Sequence, residues 1–266
     1  MIKRDRIANM MKFRKVLGID FGGSGIKGAP VDTKKGKFLD KRYRIPTPSP
    51  ATAGNVSDVI KEIVRYFSWD GPIGIAFPSV VQNGIILTAA NIDKSWIGID
   101  ASKLILEKTN LPAYIVNDAD AAGMAEMKFG AGKDRRGTVL IVTVGTGIGS
   151  ALFTRGKLVA NTELGHIYLN SGIDAEIVTS DAVRKNEGLS WENWAKRFDI
   201  YLHEMERLFW PELIIIGGGV SKKTDEFRKL LTIKTEIAIA STKNDAGIIG
   251  AALYAKANRD ILSWFS

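Results

Sequence analysis

Asp118 follows the apolar run Tyr114–Val116 inside the string VNDADAAG, which starts at Val116. A carboxylate at the carboxyl end of a buried strand, just ahead of a helix, is where α/β proteins place reacting groups. There it can take a proton from a hydroxyl, and Asp118 reads as a general base. Asp120 can cap the helix running through Met127, but capping accounts for one of these acids and not both. Glu163-Leu164-Gly165-His166 sets an acid and an imidazole on either side of a glycine, with Glu176 further along. Paired acceptors and donors of this kind suit bidentate hydrogen bonding to vicinal sugar hydroxyls. A metal is the alternative, and it would lack further ligands.

Phosphate chemistry is suggested by two glycine-rich segments, VLGIDFGGSGIKGA at Val16–Ala29 and VTVGTGIGSALF at Val142–Phe153. Each is an apolar run that breaks into glycines plus a hydroxyl residue and then resumes. That pattern predicts strand, tight turn, strand, with backbone N–H groups bared at the turn. Glycine would permit positive φ there, and close approach by a phosphate. Gly22, Gly23 and Ser24 in the first loop, and Gly145, Thr146 and Gly147 in the second, are the candidate phosphate ligands. Asp20 can hold hydrated Mg²⁺ beside phosphates cradled by the first turn. Lys27, on the next strand, either contacts phosphate or faces solvent. Gly217-Gly218-Gly219 separates a buried strand from a helix; it lets a purine or phosphate approach the helix N-terminus, or is a turn needed only for packing.

The elements that must position these residues follow from hydrophobic spacing. The first hairpin is followed by a third strand over Lys37–Ile45, a helix over Asn55–Trp69 and a buried strand Ile73–Phe77. A strand pair follows around Asn83-Gly84, then a helix capped by Asp100, the strand Tyr114–Asn117 and a helix from near Asp120. The second half repeats the order with strands Thr138–Val144, Ser150–Thr154 and Lys157–Val159. A helix over Ser190–Leu208, a strand Leu213–Ile216, a helix from about Lys223, a strand Thr235–Ala240 and a closing helix Ala246–Ala257 complete it. This duplicated βββαβαβα order predicts two similar α/β domains with a cleft between them. The division is a basic, disordered arm at 1–15, a small domain at 16–118 plus about 246–266, and a large domain at 119–245.

Composition narrows the chemistry. The 266 residues contain no cysteine, which excludes disulfides, thiolate zinc sites and cysteine nucleophiles, and with two histidines a metal site built wholly from protein ligands is not expected. No apolar run reaches the roughly 20 residues that span a bilayer. The first fifteen residues lack the apolar core of a secretory signal, so the cytoplasm is the expected compartment and no membrane partner is expected. The net charge of +8 invites a polyanion, yet +5 of it lies in those fifteen residues. Such an arm is a solvated tail, or an over-long translation start given Met10 and Met11, more often than a binding element. No nucleic-acid partner is expected.

In this order the motifs resemble the ROK family of sugar kinases, within the hexokinase–actin superfamily. The likeness runs from about Val16 to Ala257. VLGIDFGGSGIKGAPVD, RYRIPTP, AANIDKSW, NDADAAG, GTVLIVTVGTGIGSA, ELGH and GLSW are similar to its polyphosphate-using glucokinase branch. The resemblance implies two ribonuclease-H-like, actin/hexokinase-type domains and phosphoryl transfer to the 6-hydroxyl of glucose. It implies polyphosphate, ATP or both as donors, with Mg²⁺. By position, Asp118 matches the family's base. Asn117, Glu163, His166 and Glu176 match sugar ligands, with Asn91 and Ser79 on the sugar loop, and Gly218 and Gly219 match the nucleotide side. Many members carry a cysteine-rich zinc motif after Glu-x-Gly-His; its absence here leaves no zinc expected. Many also have glycine after proline where this chain has Pro78-Ser79. The family usually forms homodimers. A basic track at Lys94, Lys133, Arg135, Arg136, Lys222 and Lys223 would suit a long polyanion, although each could equally be solvated surface charge. The rival readings are an ATP-only kinase of mannose or N-acetylmannosamine, and a non-catalytic sugar sensor.

Overall fold

A computed structural model of the protein describes residues 13–90, 92–169 and 172–258. The chain forms two compact units, Met1–Ala125 with Asn244–Ser266, and Glu126–Lys243.

In the first unit, β1 (Lys15–Gly22), β2 (Gly25–Asp32), β3 (Lys37–Phe38), β4 (Tyr43–Ile45), β5 (Ile73–Phe77) and β8 (Ala113–Asn117) share one sheet. Its path is β3-β2-β1-β5-β8, with β4 also on β2. β1 and β2 are antiparallel, while β5 and β8 run parallel to β1. β6 (Val81–Gln82) and β7 (Ile85–Ile86) form a separate hairpin, with Asn83 and Gly84 at positive φ in its turn. Alternation along β1 gives the sheet two working faces. Leu17, Ile19 and Phe21 join a core with Val56, Ile60 and Ile63 of the helix Ala53–Tyr66 and Ile105 of the helix Ala101–Thr109. On the opposite face Gly18 abuts Ile248 of the closing helix Ala246–Ala257. That helix buries Ile248, Ala251, Ala252 and Ala255, which explains its continuous apolar sequence.

The second unit repeats the topology. β9 (Thr138–Val144), β10 (Ile148–Thr154), β11 (Lys157–Val159), β12 (Leu213–Gly218) and β13 (Glu236–Ile239) run in the order β11-β10-β9-β12-β13. Again the first three strands form an antiparallel meander and the last two are parallel to the first. The helix Trp191–Phe209, capped by the Ser190 hydroxyl, buries Trp194, Phe198, Tyr201, Leu202 and Met205 against this sheet.

Three elements depart from the sequence reading. Lys37–Ile45 is two strands rather than one, because β3 pairs with the end of β2 and β4 with its beginning. The stretch Asp40–Arg42 between them is exposed and belongs to neither strand. The segment after Lys223 is one short helical turn, Thr224–Phe227, flanked by 3-10 turns. The helix expected near Asp120 begins at Asp118, because a different side chain caps it.

Candidate active site

In the first unit, Gly22 pairs with Gly25, so Gly23 and Ser24 make the turn between β1 and β2. None of these glycines has positive φ, so freedom in φ is not what the turn requires. Its shape is held through its carbonyls. Thr47 Oγ1 donates to the Gly22 carbonyl at 2.6 Å, and Arg44 Nη2 donates to that of Ser24 at 2.6 Å. Neither partner was visible in the loop's own sequence.

Asp20 and Lys27 face one another across the β1–β2 ladder, with Nζ 3.5 Å from the carboxylate. Lys27 is therefore an ion-pair partner of Asp20 in this structure. A methyl group at Gly247 would lie 2.9 Å from the Asp20 carboxyl carbon, so that acid sits over the first turn of the closing helix. Burial raises the Asp20 pKa above the usual carboxylate value, opposed by Lys27 and Arg42. Among the described residues, no group of three or more His, Cys, Asp or Glu could cage a metal. A lone acid fits Mg²⁺ delivered with phosphates, since that ion keeps several waters and takes one or two carboxylates.

At the end of β8, Asn117 is buried and its side chain works for the fold. Its Oδ1 accepts from the backbone N–H of Ala119 at 2.8 Å and of Asp120 at 3.1 Å, capping the helix Asp118–Phe129. Its Nδ2 donates to the Ser79 carbonyl at 3.1 Å, tying β8 to the loop after β5. Capping thus falls to Asn117, which leaves Asp120 buried in the first turn. Asp118 is exposed, and its Oδ1 accepts from Ala119 N–H at 2.8 Å. The Ser79 hydroxyl is turned back on Thr88. Asn91 lies outside the described residues.

The second unit gathers a second cluster. Gly145-Thr146-Gly147 links β9 to β10, closed by Gly145 N–H donating to the Gly147 carbonyl at 2.9 Å. The Glu176 carboxylate accepts from Ile148 N–H at 2.7 Å, directly after that turn. Leu164–His166 form a 3-10 turn seated on β10. Gly165 makes this possible, since any side chain there would strike the Ile148 carbonyl. Glu163 and His166 are both exposed. Protein crowding around its carboxylate raises the Glu163 pKa; His166 opposes the shift and Glu176 adds to it. His166 Nδ1 lies 2.9 Å from Asp174 Oδ2, and that hydrogen bond is the leading cause of a raised imidazole pKa. Asp174 Oδ1 in turn accepts from Glu176 N–H at 2.9 Å. Asp174 is the partner of His166 that spacing did not reveal. Gly218 ends β12 at φ +76°, where any side chain would strike the backbone of Val144, and Gly219 opens the next 3-10 turn. The triple glycine thus has a packing reason at Gly218 whatever it binds.

Residues 16–181 match the ROK family. The chain belongs to the ROK family. The polyphosphate glucokinase of Mycobacterium tuberculosis is 44% identical over 241 residues, covering 90% of this chain and 91% of that protein. Its Mycobacterium leprae counterpart is 43% identical, over 91% of this chain and 74% of that protein. The crystal structure of the inorganic polyphosphate/ATP-glucomannokinase of Arthrobacter sp. strain KM superposes with a TM-score of 0.86 at 45% identity, covering 92% of this chain and 99% of that one. A ROK glucokinase of Streptomyces griseus, crystallised with glucose and AMPPNP, gives a TM-score of 0.76 at 25% identity, over 90% and 98% of the two chains. This ROK member therefore has the two actin/hexokinase-like α/β domains of its structural neighbours. No helix among its described residues is long and apolar enough to cross a membrane.

Proposed function

We propose that this ROK kinase transfers the terminal phosphoryl group of inorganic polyphosphate, and of ATP, to the 6-hydroxyl of glucose. The reading is carried by the 44% identity to polyphosphate glucokinases over nine-tenths of both chains. The 6-oxygen attacks the terminal phosphorus, the bond to the bridging oxygen breaks, and the hydroxyl proton passes to Asp118. An exposed carboxylate at a strand's carboxyl end, held by one backbone N–H, suits that task. Glu163, His166 and Glu176 take sugar hydroxyls, with Asn91 and the remaining Nδ2 hydrogen of Asn117. Gly22, Gly23 and Ser24, and Gly145, Thr146 and Gly147, give backbone N–H groups to phosphate, with Lys27 beside them. Gly218 and Gly219 face the nucleotide when ATP is the donor. Asp20 would hold Mg²⁺ through water; when bound, the ion offsets charge on the transferring phosphoryl group.

A panel of donors against sugars, read as hexose 6-phosphate formed, tests this. Turnover of glucose with long-chain polyphosphate is expected. Activity confined to ATP with mannose or N-acetylmannosamine would overturn it. The reading extends to a cytoplasmic homodimer, which sedimentation of the full chain tests.

A further inference from the structure

Residues 167–169 pair with residues 173–175 and so bring Asp174 to His166, through Leu169 N–H to the Ile173 carbonyl and Ala175 N–H to the Ile167 carbonyl, each 2.9 Å. A carboxylate at neutral pH accepts hydrogen bonds and cannot donate. The nitrogen facing it therefore carries the proton, and in the neutral imidazole the far nitrogen Nε2 keeps its lone pair. From this geometry we infer that Asp174 is a positioning residue for sugar recognition: it fixes the Nδ1–H tautomer of His166, so that Nε2 accepts a hydrogen bond from a substrate hydroxyl. The inference rests on the assignment of His166 to the sugar.

Two further observations support a built arrangement. The second oxygen of Asp174 accepts from Glu176 N–H, which holds the carboxylate toward the ring. The Glu176 side chain is itself tied to Ile148 N–H beyond the second glycine turn. The charges that reach His166 are those of Asp174, Glu176 and Glu163, all acidic. They favour the imidazolium on acidification, and in that state Nε2 becomes a donor and loses its acceptor role.

Asp174→Asn separates positioning from folding. Its amide oxygen still accepts from Glu176 N–H, while its NH₂ now donates to Nδ1, which inverts the tautomer. The imidazole ¹⁵N shifts of full-length protein, assigned with His203→Gln, report this directly. The wild type is expected to show Nδ1–H and Asp174→Asn to show Nε2–H, with a lowered His166 pKa. Glucose KM should rise about tenfold in the variant, while kcat and polyphosphate KM change less than about twofold; Asp174→Glu should recover part of the loss. A wild-type Nε2–H tautomer, or an inverted tautomer with unchanged glucose KM, would overturn the inference. A wild-type enzyme that ignores glucose would instead overturn the kinase reading, and the tautomer measurement stands apart from it.

Discussion

Glu126 holds Thr242 by two bonds to one oxygen, accepting from its backbone N–H at 2.7 Å and from its hydroxyl. The other carboxylate oxygen accepts from Ala131 N–H at 2.9 Å. These residues stand where the chain enters and leaves the second unit, so one buried acid fastens both ends of that unit together. Removing it leaves partly buried donors of Ala131 and Thr242 without their acceptor. Glu126→Ala should cost roughly 3 kcal/mol and lower Tm by about 5–10 °C. Glu126→Gln, which keeps one acceptor oxygen for Thr242, should cost less. Calorimetry on both variants checks this, and equal Tm losses would refute the acceptor role.

The duplicated topology was legible because its signals are local. Apolar alternation, glycine turns and caps such as Asp100 and Ser190 each act within a few residues. What escaped was long-range hydrogen bonding. Asp174 stands eight positions beyond His166 with no periodic relation to it, and the pairing of Tyr168 with Asp174 brings it to the ring. Thr47 and Arg44 hold the first turn from a different strand and its following loop. Glu126 reads as one more acid on a helix until the fold brings Thr242 to it. Asn117, read as a sugar ligand, is spent largely on capping, which a single sequence cannot distinguish.

Asp118→Asn should leave the fold and most glucose affinity intact while removing the proton acceptor. The expected loss in kcat is about 10²–10⁴-fold, or roughly 3–5 kcal/mol of barrier. Steady-state kinetics with glucose decide it. A variant keeping more than about a tenth of wild-type kcat would sink the assignment.

Glu163→Ala and His166→Ala should each raise glucose KM about tenfold or more, because buried polar groups of the bound sugar lose partners. Polyphosphate KM should barely move. If the donor KM rises instead and glucose KM stays fixed, these residues belong to the phosphate side.

The raised pKa of His166 has a defined sign in stability. Folding takes up protons at a group whose folded pKa exceeds the ordinary imidazole value of 6.5. Its contribution is therefore full below that value and fades as pH rises through the higher folded pKa. With the ring half exposed the effect is small. The Tm difference between wild type and His166→Gln should be largest below pH 6.5 and shrink as pH rises above it. A difference that grows with pH would contradict the Asp174 hydrogen bond.

The donor gives the last prediction. Of the cations read as a polyanion track, Arg135 is already committed, 3.2 Å from Glu212 and 2.6 Å from Glu236. Lys133, Arg136, Lys222 and Lys223 remain exposed on the second unit, and Lys94 on the first. A polyanion that meets several such side chains releases counterions, so its apparent affinity should fall steeply with salt, as for nucleic acids. ATP, with few charges, should respond less. The double substitution Lys222→Gln with Lys223→Gln should flatten the polyphosphate slope by about one unit for each lysine that meets a phosphate. Arg135→Gln should leave it unchanged, because its charge is offset by the two glutamates. Initial rates of glucose 6-phosphate formation at limiting donor, from low to moderate salt, supply both slopes. Equal slopes for the two donors would eliminate the track, and an unaltered slope in the double variant would remove Lys222 and Lys223 from it.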